Sequence, residues 1–115
     1  MTVETLLNQI NENHEMDLLC VAGKEGLVKE IRGVYVGDLL SLVMAHAHEG
    51  ELWLTVQGHM NAVAVASLVN IPAIIFVQGV QPSEEMIQKA NEEQIVLLIT
   101  HERSYELIKG ISKYI

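Results

Sequence analysis

The sequence predicts an α/β fold: a single domain with a largely parallel sheet flanked by helices. Three observations predict it. Short apolar runs begin at Leu52, Ala73 and Ile95, about 20 residues apart, and each gap has room for one helix. The runs are almost continuously apolar rather than alternating, as strands covered on both faces are. A chain of 115 residues, half of them hydrophobic, can bury one core and not two, so residues 1–115 are expected to form one domain.

Val3, Leu6, Leu7 and Ile10 recur at helical spacing, and Thr2 is placed to cap that helix. Leu18 to Ala22 is a five-residue apolar run that suits a strand, closed by turn chemistry at Gly23-Lys24-Glu25-Gly26. Val28 to Val36 reads as extended, with Gly33 marking a bulge or a close approach. A helix is expected from Gly37-Asp38 to about His46, with Asp38 accepting hydrogen bonds from its first turn. Leu52–Val56 is a strand, Gln57-Gly58 a turn and His59–Val69 a helix. Pro72 precedes the strand Ala73–Val77. Ser83 caps a helix whose first turn carries Glu84 and Glu85, matching its macrodipole. Ile95–Ile99 is the last strand. The final helix is expected from Thr100 or His101, with Tyr105, Leu107, Ile108 and Ile111 on its apolar side.

Composition narrows the role. Fifteen acidic residues against seven basic ones give a net charge of −8, which repels a phosphate backbone, so no nucleic-acid partner is expected. No apolar run reaches the roughly 20 residues that span a bilayer, so no membrane partner is expected either. The first residues lack a basic segment followed by an apolar stretch, and a cytoplasmic location is the expectation. A single cysteine, Cys20, forms no disulfide framework and reads as core. His46 and His48 sit two apart on a helix, where the rings diverge, so neither a metal nor another cofactor is expected.

Ligands of open α/β sheets bind beyond the carboxyl ends of the strands. The groups expected there are Gly23-Lys24-Glu25, Gly37-Asp38, Gln57-Gly58-His59 with Asn61, Gln78-Gly79 and Thr100-His101, with Lys24 the one basic residue. Gly37, Asp38, Gln57, His59 and Asn61 are the candidate ligand-binding residues, for a nucleotide or another small anion. Thr55 and Gln57 lie on opposite sides of Val56, and at most one is expected beside Asp38. His59, in a first helical turn, is expected to be a neutral imidazole. The segments 39–45 and 60–69 are apolar nearly all round. Either one is central, or their outer faces meet a second copy through Leu40, Val43, Met44, Met60 and Ala64. Phosphate-loop, dinucleotide, zinc-protease and nucleophile-elbow motifs are absent. A small enzyme using His59 and Asp38 as an acid–base pair remains as a third reading.

The run Gly33-Val34-Tyr35-Val36-Gly37-Asp38-Leu39-Leu40-Ser41, with Met44 to Gly50, Trp53 to Ala66 and Pro82-Ser83-Glu84-Glu85, resembles a stand-alone DRTGG domain. The resemblance extends from about Glu4 to Leu107. Its most specific parts are Gly37-Asp38-Leu39-Leu40-Ser41 and Thr55-Val56-Gln57-Gly58-His59-Met60-Asn61. It implies a regulatory or assembly domain of the kind found beside CBS domains in family II pyrophosphatases and ahead of some phosphotransacetylases. It is also similar to the amino-terminal domain of HPr kinase/phosphorylase. Such domains often dimerise and leave chemistry to a neighbour, so the resemblance implies a homodimeric, non-catalytic module that senses a ligand. The alternative is an adaptor docking on a separate partner enzyme without a small ligand. The motif that names the family is not present verbatim, and Val28-Lys29 stands where related sequences show Asp-Arg.

Overall fold

A computed structural model describes residues 1–115. Helix α1 (Val3–Glu12) leads into β1 (Leu19–Ala22), and a 3-10 turn at Lys24–Val28 leads into β2 (Gly33–Val36). Then follow α2 (Leu40–His46), β3 (Glu51–Thr55), α3 (Asn61–Val69), β4 (Ala73–Phe76), α4 (Glu84–Glu93), β5 (Val96–Ile99) and α5 (Ser104–Ile111). The five strands form one sheet in the order β1-β5-β4-β3-β2. Strands β2 to β5 are parallel, as expected, and β1 runs antiparallel along the outer edge of β5.

Alternation along each strand divides two cores. Leu52, Leu54, Ala73, Ile75, Val96 and Leu98 face α1 and α5, where they meet Val3, Leu6, Ile10, Leu107 and Ile111. Trp53, Ile74, Phe76 and Leu97 face the other way, against Val43 of α2, Ala62, Val63 and Ala66 of α3, and Met86 and Ala90 of α4. The three crossover helices therefore share one face of the sheet. Burial on both faces is why the strands read as unbroken apolar runs.

Local chemistry sets several boundaries. Thr2 Oγ1 accepts from the Thr5 amide (3.1 Å) and Ser83 Oγ from the Met86 amide (3.2 Å), so both expected caps form. Gly23 holds a left-handed φ of +70°, and a Cβ there would lie 1.9 Å from the Ile95 carbonyl oxygen. Only glycine allows this close passage between β1 and the start of β5.

Several expectations change. Residues 28–32 are not strand, and β2 pairs in regular register with β3 from Gly33↔Glu51 onward, without a bulge at Gly33. Helix α5 starts only at Ser104, because Thr100 and His101 are engaged elsewhere, and Tyr105 is exposed rather than on its apolar side. Helix α2 starts at Leu40 with no side-chain cap. No helix is long and apolar enough to cross a membrane.

Candidate functional site

Where a parallel strand ends, its backbone loses ladder partners and side chains must supply them. At the carboxyl end of β2 and β3 this is done by Asp38. Its Oδ1 accepts from Thr55 Oγ1 (2.7 Å) and from the Val56 amide (2.9 Å). Thr55 Oγ1 in turn accepts from the Gln57 amide (2.9 Å). The Gln57 side chain reaches back, its Nε2 donating to the Asp38 carbonyl (3.1 Å) while its Oε1 accepts from the His59 amide (3.1 Å). His59 Nδ1 accepts from the Asn61 amide (3.1 Å), a role that needs Nδ1 unprotonated and leaves Nε2 to meet solvent. Below the circuit the buried Trp53 indole donates to the Gly37 carbonyl (2.8 Å).

Asp38, Gln57, His59 and Asn61 are thus brought together by one continuous hydrogen-bond path, and Gly37 joins them as the chain neighbour of Asp38, held by Trp53. Two expectations fall with it. Asp38 does not cap α2, because its carboxylate is spent across the sheet on β3. Thr55 and Gln57 both bond Asp38, since residues two apart on an extended segment point the same way. Asp38 and His59 share no hydrogen bond; Gln57 stands between them.

The same circuit recurs on the other side of the sheet, built from residues that sequence reasoning did not join. Asp17, just before β1, accepts from Thr100 Oγ1 (3.1 Å) and from the His101 amide (3.1 Å), and Thr100 Oγ1 accepts from the Glu102 amide (3.1 Å). His101 Nδ1 lies 2.7 Å from Asp17 Oδ2. Partial burial pushes the Asp17 carboxyl up, but hydrogen bonds from the His101 ring, the His101 amide and Thr100 outweigh it and hold its pKa below the usual value. The shared signal is Thr-x-Gln and Thr-x-Glu after an apolar strand, at Thr55-Val56-Gln57 and Thr100-His101-Glu102. Between the two circuits the β4 loop is stitched to the β5 loop by Gln78 N–Glu102 O (2.9 Å) and Gly79 N–Thr100 O (3.0 Å).

Gly23-Lys24-Glu25 does not belong to this rim. Strand β1 is antiparallel, so the residues that follow it lie at the opposite end of the sheet, beside the start of β5. Of the residues expected to meet a second copy, Val43 is fully buried in the chain's own core and Leu40 is half-buried, whereas Met44, Met60 and Ala64 are exposed. Leu39, Leu42 and Leu68 are exposed beside them. Cys20 is half-buried, and burial pushes its thiol pKa up.

A family model described as HPr Serine kinase N terminus matches residues 58–115, half of the chain. The chain belongs to that family. The match begins at Gly58 and so takes in His59 and Asn61, but not Asp38 or Gln57. No curated protein matches the sequence. Among solved structures, the regulatory region of a Clostridium perfringens pyrophosphatase, comprising its CBS and DRTGG domains in complex with the activator diadenosine tetraphosphate, is similar with a TM-score of 0.68 and 16% identity. The likeness covers 96% of this chain and 45% of that one, so the chain spans less than half of its neighbour's length. Family and fold together make this a DRTGG-like domain, as the sequence resemblance implied.

Proposed function

We propose that this DRTGG-like domain is a non-catalytic regulatory module that works as a homodimer and senses a small ligand at the carboxyl ends of its strands. One observation carries the reading: the circuit of candidate residues and the border of the exposed apolar surface share the same two loops. Leu39 follows Asp38 directly, and Met60 lies between His59 and Asn61; both apolar side chains are exposed. A ligand that engages His59 Nε2 or the Asn61 side chain would move the residues that border an association surface built from Leu39, Leu42, Met44, Met60, Ala64 and Leu68. Occupancy and self-association are coupled by chain connectivity alone. The pyrophosphatase neighbour, captured with a nucleotide activator, supports a nucleotide as the first ligand to try.

A second reading, an adaptor that docks on a partner enzyme with no small ligand, is favoured by a different observation. Asp38, Gln57 and His59 already satisfy one another, as a purely structural rim would. A thermal-shift screen against adenine and guanine nucleotides and dinucleoside polyphosphates separates the two. A ligand at about a hundred times its Kd adds about 2.7 kcal/mol to stability. The sensor reading expects a shift that His59→Ala abolishes, together with a change in mass by light scattering. No shift across the panel would refute it in favour of the adaptor.

A further inference from the structure

A concavity lies at the other end of the sheet, where the strands begin. It is a groove of about 410 Å3 between the segment Lys29–Arg32, the turn at Glu49-Gly50 and the turn at Asn70–Pro72. Only two of its eleven lining residues are hydrophobic, so it is built to meet a polar ligand.

Arg32 is held in place there. Its amide donates to the Gly50 carbonyl (2.8 Å), and its stem lies across Gly50, where a Cβ would sit 2.9 Å from Arg32 Cγ. Gly50 also has a left-handed φ of +85°, so glycine is required there twice over. The guanidinium so placed has no carboxylate partner. At the other end of the same segment the half-buried Lys29 ammonium donates to the Gln94 carbonyl (2.7 Å) and keeps two donors in hand. Burial pushes its pKa down, as for a cation short of a counter-charge. Two of the three nearby carboxylates are already taken. Glu93 is paired with Lys89 (3.2 Å) and Glu30 with the Met1 ammonium (3.1 Å), which leaves Glu49. The lining thus carries two cations and three carboxylates, and with Glu30 and Glu93 paired to cations outside the groove, Arg32 and Lys29 are its positive charges without a carboxylate partner.

We propose that this groove binds a phosphate group, clasped between the Arg32 guanidinium and the Lys29 ammonium, with the Asn70 side-chain amide as a further donor. Two cations suit a dianion, and the guanidinium fork suits two oxygens of one phosphate. The site is distinct from the carboxyl-end rim and does not depend on it.

The test is an amide and arginine side-chain NMR titration with three probes: inorganic phosphate, AMP and adenosine. Saturable shifts are expected at Arg32, Gly50 and Asn70 with phosphate and AMP, and none with adenosine. A tighter fit for AMP than for phosphate assigns the source as a phosphomonoester, and equal fits assign it as the free anion. Arg32→Gln and Lys29→Gln should each weaken binding about tenfold or more. Arg32 and Lys29 both lie outside the core, and Arg32→Lys, which keeps charge but loses the fork, guards against misreading a folding defect: it should weaken binding less than Arg32→Gln. His59→Ala should leave these shifts unchanged, which separates this site from the proposed sensor. Non-saturating shifts, shifts confined to residues 57–61, adenosine binding as well as AMP, or an affinity untouched by Arg32→Gln would each overturn the proposal.

Discussion

Removing the Asp38 carboxylate tests the circuit directly. In Asp38→Ala, Thr55 Oγ1 and the Val56 amide both lose their acceptor. A hydrogen bond to an ionised partner is worth about 1.5–3 kcal/mol. The two losses are unequal, because Val56 is exposed and water can replace Asp38, whereas Thr55 is only 2% exposed and its hydroxyl proton is stranded. A net loss of about 2 kcal/mol follows. In a domain of this size that lowers Tm by about 6–10 °C. Asp38→Asn keeps an Oδ1 acceptor and should lose less than half as much. The deciding variant is Asp38→Ser. A serine would serve well as a helix cap but is too short to reach Thr55, so it should be nearly as unstable as alanine in urea unfolding. Thr55→Val should cost less in the Asp38→Ala background than alone, since the stranded hydroxyl proton goes with it and only the Gln57 amide loses its acceptor. Wild-type stability in Asp38→Ser would mean that Asp38 caps α2 after all and that the circuit contributes nothing.

Asp17 should behave as a carboxylate stabilised by folding. Its depressed pKa contributes stability that is present above the unfolded value of about 3.9 and is lost as pH falls through the lower folded value. Asp17→Asn should therefore unfold at lower urea than wild type at pH 7, with the gap closing below about pH 4; an equal gap at pH 3 would contradict this. Gly23→Ala places a Cβ against the Ile95 carbonyl at a left-handed φ and should cost about 3 kcal/mol or more, read from a circular-dichroism melt. A wild-type melt would show that the two segments can part. Met44→Glu and Ala64→Glu should fold normally and give monomer mass by light scattering, while Val43→Glu, at a position with no exposure, should fail to fold. A dimer mass in both surface variants would remove α2 and α3 as the association surface.

The parallel part of the sheet was legible because burial on both faces writes itself as apolar runs, and Ser83 and Thr2 announced their helices by cap chemistry. The direction of β1 was not legible. Leu18 to Ala22 carries the same apolar signal whichever way it runs, and its partner β5 lies far away in sequence. That one reversal moved Lys24 from the expected rim to the opposite end. Asp38 was misread for a related reason: Gly-Asp ahead of an apolar helix looks like a cap, and nothing local reports that Thr55 competes for the carboxylate and takes it. That Gly37, Asp38, Gln57, His59 and Asn61 lie close together was nevertheless legible, because each sits between a parallel strand and the helix that follows it or at that helix's start. The Asp17 circuit was missed because its members are over eighty residues apart in sequence.

The pairing of β1 with β5 has a consequence for how the chain folds. The first strand made is among the last to find its neighbour, and the seam is closed by contacts between distant ends: Asn13 to Tyr114 (3.0 Å), Glu15 to Tyr114 (2.8 Å) and Glu15 to Lys113. During synthesis the units from β2 to β4 can pair in turn as each helix follows its strand. Helix α1 and β1 must wait until β5 and α5 emerge, with their apolar sides uncovered meanwhile. Closing so long a loop is an entropic toll exacted at the end of folding rather than at its start. Hydrogen exchange should then find α1 and β1 opening together with α5 as one cooperative unit, while the parallel strands remain protected.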